Sequence, residues 1–193
     1  MSNFASKVFK NRGYTPIPFL ILMLIFQKAS PLSLIIGLPI ALLGAFFRFW
    51  GISYAGSETR TTGAVGGTYL IISGAFAYVR NPLYLGNILM YLGIGIMSMA
   101  LFPYLQITAL FFFYWQYRVI IGEEEKYLIQ KFGHQFEEYV SAVPRFIPRL
   151  IPYKNENVEQ PPLNIKGAVK SETRTWQAFL TVIILLLVIY LVF

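Results

Sequence analysis

The fold follows from residues 83–121, which read LYLGNILMYLGIGIMSMALFPYLQITALFFFYWQYRVII. Two apolar runs, 83–102 and 104–121, are separated here by Pro103. Each run is close to the length of about 20 residues that a helix needs to cross the hydrocarbon core of a bilayer. Since proline interrupts a helix, the pattern predicts two antiparallel neighbouring helices. The chain therefore leaves the second helix on the face where it entered the first.

Three further segments, 15–29, 32–54 and 176–193, are also apolar. Pro39 predicts a kink in the second of them, and the last is the most uniformly apolar. The sequence therefore predicts an all-α, polytopic membrane protein with five transmembrane helices, which form a single membrane domain over residues 1–193.

The composition agrees with a membrane environment. Of the 193 residues, 56% are hydrophobic and 13% are charged, against about 25% charged residues in an average soluble domain. The net charge of +7 is spread between the apolar segments, which does not indicate a nucleic-acid partner. Because the chain has no cysteine, no aspartate and one histidine, the sequence predicts no disulfide and no protein-built metal site.

The basic residues predict the topology. With a cytosolic N-terminus, Lys7, Lys10, Arg12 and the basic residues of two long loops, 55–81 and 122–175, lie inside, while Lys28 lies opposite. Five spans then place the C-terminus outside. In the second loop, residues 123–139 have helical spacing and residues 154–175 are predicted to be a flexible tether. Arg48, near the cytosolic end of its span, is expected to extend to the membrane interface.

The segment Arg80-Asn81-Pro82 precedes the third apolar run. Asparagine favours the position before a helix, and proline favours the first helical position. A helix N-terminus beside an arginine is a suitable site for an anion. The same residues are also explained as a capped helix start with a positive-inside charge.

Glu123-Glu124-Glu125 follows the fourth apolar run. Carboxylates there are explained in structural terms by the dipole of a cytosolic helix start. The predicted hairpin, however, returns them to the face that carries Arg80. A cationic and an anionic group would then flank one cytosolic pocket, which would suit a zwitterion such as an amino-acid moiety.

These residues also resemble a known family. The segment Arg80–Gly86 is similar to the RHPxYxG motif of the isoprenylcysteine carboxyl methyltransferases and the related phospholipid N-methyltransferases. Residues 124–128, followed by Phe132-Gly133 and Tyr139, resemble the second motif, EExxL…FGxxY. Residues 143–148 resemble the closing segment, and Gly74-Ala75-Phe76 resembles a GxY segment. The resemblance covers residues 55–150, the methyltransferase-like core.

The resemblance implies a cytosolic site for S-adenosylmethionine. Arg80, Asn81 and Tyr84 would hold its methionine part, and Glu124 or Glu125 would pair with its ammonium group. Leu70, Ile71 and Phe76 would line the adenosine pocket, and Tyr78 and Pro82 would complete the site. Gly86 would allow close approach of the cofactor or of a neighbouring helix. Arg80 and Glu125 are the predicted catalytic residues, and Arg145 would bind an anionic acceptor.

Asn81 replaces the histidine of the motif, so no imidazole acid–base role carries over, and the phospholipid branch is favoured. The implied activity is methyl transfer to a lipophilic, membrane-embedded acceptor: a carboxylate, an amine or a thiol. The alternative is a non-catalytic membrane protein, such as a transporter subunit or an assembly factor. The sequence does not indicate an oligomeric state.

Overall fold

The computed structural model describes residues 3–56 and 69–192. These residues contain no β-strand and form seven α-helices: α1 (Asn3–Asn11), α2 (Pro16–Ile25), α3 (Pro31–Ala55), α4 (Pro82–Ser98), α5 (Tyr104–Phe132), α6 (His134–Ala142) and α7 (Ile165–Val192). A 3₁₀ helix, Gly74–Ala77, precedes α4. The predicted all-α class is confirmed for this part of the chain. Residues 57–68 of the first predicted loop, with Arg60, lie outside it, as does Phe193.

Among the described helices, α3 and α7 are long and apolar enough to cross a membrane. α4 has 17 residues, close to the lower limit for a span. α2, with 10 residues, is about 15 Å long and cannot cross a core of about 30 Å. The predicted span 15–29 is therefore wrong in its helical length, and the prediction of five transmembrane helices is not confirmed.

The centre of the fold is the α3–α4 pair, which is joined along a seam of glycines. Gly37, Gly44 and Gly51 recur every seven residues on α3. The first two face Gly93 and Gly86 on α4, and Gly51 faces the side chains at the start of α4. A Cβ atom added at Gly44 would lie 2.5 Å from the carbonyl oxygen of Gly86, and one at Gly37 would lie 2.5 Å from that of Gly93. Small residues let helix backbones approach this closely inside a membrane. α4 is thus held against α3 along its whole length.

α7 packs antiparallel to α3 through a buried ion pair. Arg48 Nη2 lies 2.7 Å from Glu172 Oε1, and the two residues are 8% and 0% exposed. At the far end of α7, Tyr190 lies beside Gln27. The expectation that Arg48 extends to the interface is therefore wrong, because a carboxylate on α7 neutralises its charge inside the fold.

The segment predicted as a tether is part of the folded structure. α7 begins at Ile165 instead of at residue 176. Before it, the side-chain amide of Gln160 accepts from the backbone N–H groups of Ile72 and Ser73 and donates to the carbonyl of Leu70. Val158 is buried in a small core outside the long helices. These contacts fix residues 158–160 against the chain that leads into the 3₁₀ helix.

The predicted helix at 123–139 is two helices. α5 is continuous from Tyr104 through Phe132, and Gly133 then turns the chain with a φ of +51°. Such a conformation favours glycine. α6 consequently packs Phe136 and Tyr139 against Leu70 and Ile72. This small core lies at the end of the α4–α5 hairpin that carries the candidate site.

Candidate cofactor site at the end of the α4–α5 hairpin

The site begins at the N-terminus of α4. Asn81 occupies the position before the helix and Pro82 begins it, as predicted. The Asn81 side chain does not bond to the helix; it donates to the backbone carbonyl of Arg145 at 3.3 Å. The Arg80 N–H donates to the carbonyl of Pro144 at 2.9 Å. Two segments far apart in sequence, 80–82 and 144–145, therefore run side by side.

Glu125 binds two arginines. Arg80 Nη1 lies 2.9 Å from Glu125 Oε1, and Arg145 donates to both carboxylate oxygens through Nε and Nη2. Burial lowers the pKa of the Arg80 guanidinium, an effect that the Glu125 charge opposes. The hydrogen bond to Glu125 raises the pKa of Arg145. Each guanidinium is therefore stabilised in its charged form by the carboxylate that they share.

This arrangement alters two predictions. The hairpin brings Arg80 and Glu125 to the same place, as predicted, but they contact each other and do not flank an open gap. Arg145, predicted to bind an anionic acceptor, is a partner of Glu125, and its side chain is 32% exposed. Glu125 is thus already neutralised by side chains of the protein.

Glu124 has a different environment. Its Oε1 accepts a hydrogen bond of 2.9 Å from the Tyr84 hydroxyl. Burial raises the pKa of the Glu124 carboxyl to about 7, while the Tyr84 hydrogen bond and the positive charge of Arg12 act in the opposite direction. Glu124 is therefore paired with a neutral hydrogen-bond donor, the Tyr84 hydroxyl, and its carboxyl has a pKa raised to about 7.

The residues predicted to line an adenosine pocket are dispersed. Leu70 is buried in the small core, Ile71 is partly exposed, and Phe76 provides a carbonyl to the Tyr139 hydroxyl at 2.8 Å. A cavity of about 370 Å³ lies next to them, at Trp50, Ser73, Tyr78, Tyr153, Lys154 and Gln160. This volume is within the range of pockets for small molecules. Of the predicted residues, Tyr78 lines the cavity.

Two buried polar atoms of the segment 73–80 have no hydrogen-bond partner within the described residues. They are Ser73 Oγ and Arg80 Nε. Buried polar groups are nearly always hydrogen-bonded, so such atoms point to a ligand or to water. Ser73 lines the cavity, whereas Arg80 is not among the lining residues and its guanidinium contacts Glu125.

Gly86 has a structural role in this arrangement. A Cβ atom there would lie 2.5 Å from Arg48 Cγ and 2.6 Å from the carbonyl oxygen of Gly44. Gly86 was expected to allow close approach of either the cofactor or a neighbouring helix. The structure supports the neighbouring helix, α3.

The sequence reasoning missed several residues around the site. Arg12, after α1, acts on the charge of Glu124, and Asn87 and Tyr117 lie behind Tyr84. Polar and charged side chains within apolar helices are costly and commonly functional, which is the signal that identifies Asn87 and Arg48. No comparable signal distinguishes Ser73 or Gln160, because both lie in segments of ordinary loop composition.

Comparison with known proteins gives two matches. The family model for phospholipid methyltransferases matches residues 32–135. The chain is 32% identical over 130 residues to the cobalt-zinc-cadmium resistance protein CzcN of Cupriavidus metallidurans, which covers 66% of this chain and 55% of that protein. The chain thus spans about half the length of this curated relative. No solved structure matches the chain.

The matched segment contains α3, α4 and α5 together with Arg80, Tyr84, Glu124 and Glu125. It is more than half of the chain and agrees with the resemblance of the two motifs. In the part of the chain that the structure describes, no three His, Cys, Asp or Glu side chains are grouped as a metal site. The chain belongs to the phospholipid methyltransferase family.

Proposed function

We propose that the protein is an S-adenosylmethionine-dependent methyltransferase that acts on a lipophilic acceptor in the membrane. The observation that carries the proposal is the pair of contacts at one end of the α4–α5 hairpin, Arg80 with Glu125 and Tyr84 with Glu124. They lie within the segment matched by the family model. Family membership supports methyl transfer as the reaction class, and the acceptor is part of the proposal.

The residues present fit the cofactor. Arg80 would hold its carboxylate, with the unpartnered Nε available for a further hydrogen bond. Glu124 would face its positive charge, because Glu125 is already bound by two arginines. Asn81 and Pro82 fix the start of α4 under Arg80, and Tyr78 and Ser73 line the cavity that would take the nucleoside.

When bound, S-adenosylmethionine would supply its sulfonium methyl group to the acceptor's nucleophilic atom, and the sulfur, which keeps the electron pair of the broken S–C bond, would leave as a neutral thioether. The protein's task is alignment and exclusion of water. A carboxylate or thiolate acceptor arrives ionised and needs no base, whereas an amine must lose a proton. Burial raises the pKa of Glu124 to about 7, so its carboxylate would be the base that accepts this proton. Glu123 is less suited, because it forms an ion pair with Lys126 at 2.9 Å.

The proposed setting is a multi-pass protein with its N-terminus and site on the cytosolic face. α3 and α7 have the length and apolarity of spans, and the apolar part of α5, residues 104–121, would complete a hairpin with α4. The segment 13–30, which contains α2 and non-helical residues on both sides of it, would make a further crossing, because Arg12 acts on Glu124 at the site and Lys28 contacts Ser98 at the far end of α4. With five crossings the C-terminus would lie on the opposite side. An orientation with most basic residues in the cytosol follows the usual charge rule for membrane proteins.

Two measurements test the function. The first is binding of S-adenosylmethionine to detergent-purified protein, and the second is transfer of a labelled methyl group to lipid extract, prenylcysteine analogues or small thiols. Arg80→Ala is expected to abolish both. Arg174→Ala is the matched control, since Arg174 is exposed on α7, outside the segment matched by the family model.

A wild-type protein that is folded but binds no cofactor and labels no acceptor above the Arg80→Ala level would contradict the proposal. That outcome would favour the alternative, a non-catalytic membrane protein such as a transporter subunit or an assembly factor.

A further inference from the structure

A line of polar side chains crosses the helical core from α7 to α4. Glu172 on α7 accepts two hydrogen bonds from Arg48 on α3, from Nε at 2.9 Å and from Nη2 at 2.7 Å. The third polar group of Arg48, Nη1, donates to Asn87 Oδ1 at 2.7 Å. The guanidinium therefore joins α3, α4 and α7 at one point.

The line continues from Asn87 to the site. Asn87 Nδ2 donates to the Tyr117 hydroxyl at 3.2 Å. The Tyr117 ring stacks on that of Tyr84, with centroids 4.7 Å apart and an interplanar angle of 29°. The Tyr84 hydroxyl then donates to Glu124. Each step is a direct contact, so the α7 carboxylate is linked to the site carboxylate.

Helix docking alone does not require this arrangement. Well-packed apolar residues can replace a buried ion pair at little cost in stability, and often with a gain. What an apolar pair cannot do is orient an amide. Because Arg48 donates to Oδ1, the amide of Asn87 must direct Nδ2 towards Tyr117. The ion pair thus determines which group Asn87 presents to the tyrosine behind Tyr84.

We propose that Glu172, Arg48 and Asn87 are positioning residues that act through Tyr117 to hold Tyr84 against Glu124. α7 lies outside the segment matched by the family model, residues 32–135. This inference rests on the proposed function and adds to it: the C-terminal helix sets the geometry of the carboxylate that would face the cofactor's positive charge.

The link has a consequence for pH dependence. Donation from Tyr84 stabilises ionised Glu124, so loss of that bond raises the pKa of the carboxyl above its value of about 7. The other charged groups that act on Glu124 are Arg12, which lowers its pKa, and Glu125, which raises it. A variant that releases Tyr84 should therefore lose affinity for a cationic ligand at a higher pH than the wild type does.

The experiment measures the dissociation constant of S-adenosylmethionine by calorimetry between about pH 5.5 and about pH 8.5, a range that brackets the Glu124 pKa. Wild-type affinity is expected to fall as the pH drops below about 7, because Glu124 becomes protonated. In Asn87→Leu the midpoint of this fall is expected to move up by about half a pH unit or more, which is about threefold weaker binding below the midpoint. Tyr117→Phe keeps the ring but breaks the bond to Asn87, and should move the midpoint in the same direction.

Ser33→Ala is the control. Ser33 is a buried residue on α3 that donates to the Met97 carbonyl at 3.0 Å, at the other end of the helix pair. Its replacement should lower the melting temperature and leave the midpoint unchanged. The inference is overturned if Tyr117→Phe, and Asn87→Leu where it folds, keep the wild-type midpoint. Absence of binding by the wild type would instead contradict the proposed function.

Discussion

Adjacent glutamates in this site have different chemistry. Glu125 lies between Arg80 and Arg145, so its charge is compensated. Glu124, one residue earlier, is turned towards Tyr84, and burial raises its pKa to about 7. Successive residues on a helix point about 100° apart, which is how one dipeptide serves two environments.

The first prediction concerns the stability of Glu124→Gln. In the folded protein the Glu124 carboxyl keeps its proton up to about pH 7, whereas its ordinary pKa is 4.5. Folding stability therefore falls through this group as the pH rises from about 4.5 to about 7, and the penalty is then constant. The amide carbonyl of the substituted side chain can still accept from Tyr84 and carries no charge. The variant should melt above the wild type at about pH 8 and close to it at about pH 5.

Thermal denaturation in detergent at the two pH values measures this difference. Lys126→Ala is the control, because it changes an exposed residue of the same helix. Its melting temperature should differ from that of the wild type by the same amount at both pH values. A Glu124→Gln difference that is equal at both pH values would mean that the carboxyl is ionised normally in the fold.

At the scale of helices, two contacts hold α3 to its neighbours: the glycine seam and the Arg48–Glu172 ion pair. The seam joins α3 to α4 by backbone contact, and the ion pair joins α7 to α3. The first depends on the absence of side chains and the second on the presence of two charges. They should therefore respond to substitution in different ways.

Gly44→Ala tests the seam. The added methyl group would overlap the Gly86 carbonyl, so the helices must separate, and we expect a loss of about 1–3 kcal/mol of stability or more. Gly122→Ala is the matched control in α5, since a Cβ atom there has no neighbour within 4 Å. Alanine in a helix interior is more stable than glycine by about 0.5–1 kcal/mol, so the control should be neutral or stabilising. The melting temperatures of the two variants are compared with that of the wild type. An equal change in both variants would exclude close packing at Gly44.

The ion pair is tested by a double-mutant cycle. Glu172→Leu leaves Arg48 buried without its carboxylate, which should cost about 3–5 kcal/mol. Arg48→Leu combined with Glu172→Leu removes both charges and should recover most of that stability. The free energy of unfolding is measured for the wild type, Glu172→Leu, Arg48→Leu and the double variant. If the double variant is as unstable as Glu172→Leu, removal of the unpaired charge does not restore stability. The hydrogen bond from Arg48 to Asn87 would then contribute much of it.

The whole molecule has one polar end and one mostly apolar end. The Lys28 N–H donates to the Ser98 carbonyl at 2.7 Å, which places the start of α3 beside the end of α4. Arg80, Glu125 and Arg145 lie at the other end of the same helices. The topology expected from the sequence places the end that carries Arg80 in the cytosol, and it stays a prediction.

Cysteine labelling tests that topology without background, because the chain has no cysteine. Lys28 and Lys154 are both exposed. In sealed vesicles of known orientation, Lys28→Cys should react with a membrane-impermeant maleimide from the external side, and Lys154→Cys from the cytosolic side. Reaction of both variants from one side would contradict a membrane crossing between these residues.

The sequence predicted contacts within one helical hairpin well and contacts between separate segments poorly. The break at Pro103 correctly placed Arg80 beside Glu125, because a hairpin of two similar helices leaves little freedom. The start of α7 was missed because residues 165–175 contain Lys166, Lys170, Glu172 and Arg174 and read as a polar linker. The hydrogen bonds and opposite charge of Arg48 stabilise the buried Glu172 carboxylate. Because Arg48 is more than a hundred positions away in sequence, no local pattern predicts this contact.

The partners of the motif residues are a second long-range feature that the sequence does not predict. Motif spacing identified Arg80, Tyr84 and Glu124, all of which lie on or beside one hairpin. Further contacts come from other segments: Arg12, in the N-terminal region, acts on Glu124, and Arg145, after α6, pairs with Glu125. Such contacts depend on how separate segments fold back over the helix ends, which composition does not encode.

The glycine seam also determines which parts of the protein can move. A shift of α4 along α3 by one residue would drive side chains into positions where the backbones now touch. α3 and α4 should therefore behave as one rigid body, which carries Arg80 and Tyr84 at its end. Residues 143–164 are tied to it by backbone hydrogen bonds, from Arg80 to Pro144 and from Asn164 to Ser53. α1 and α2 contact the other helices largely through side chains. We expect any hinge that admits a bulky lipid chain to lie in α1 and α2.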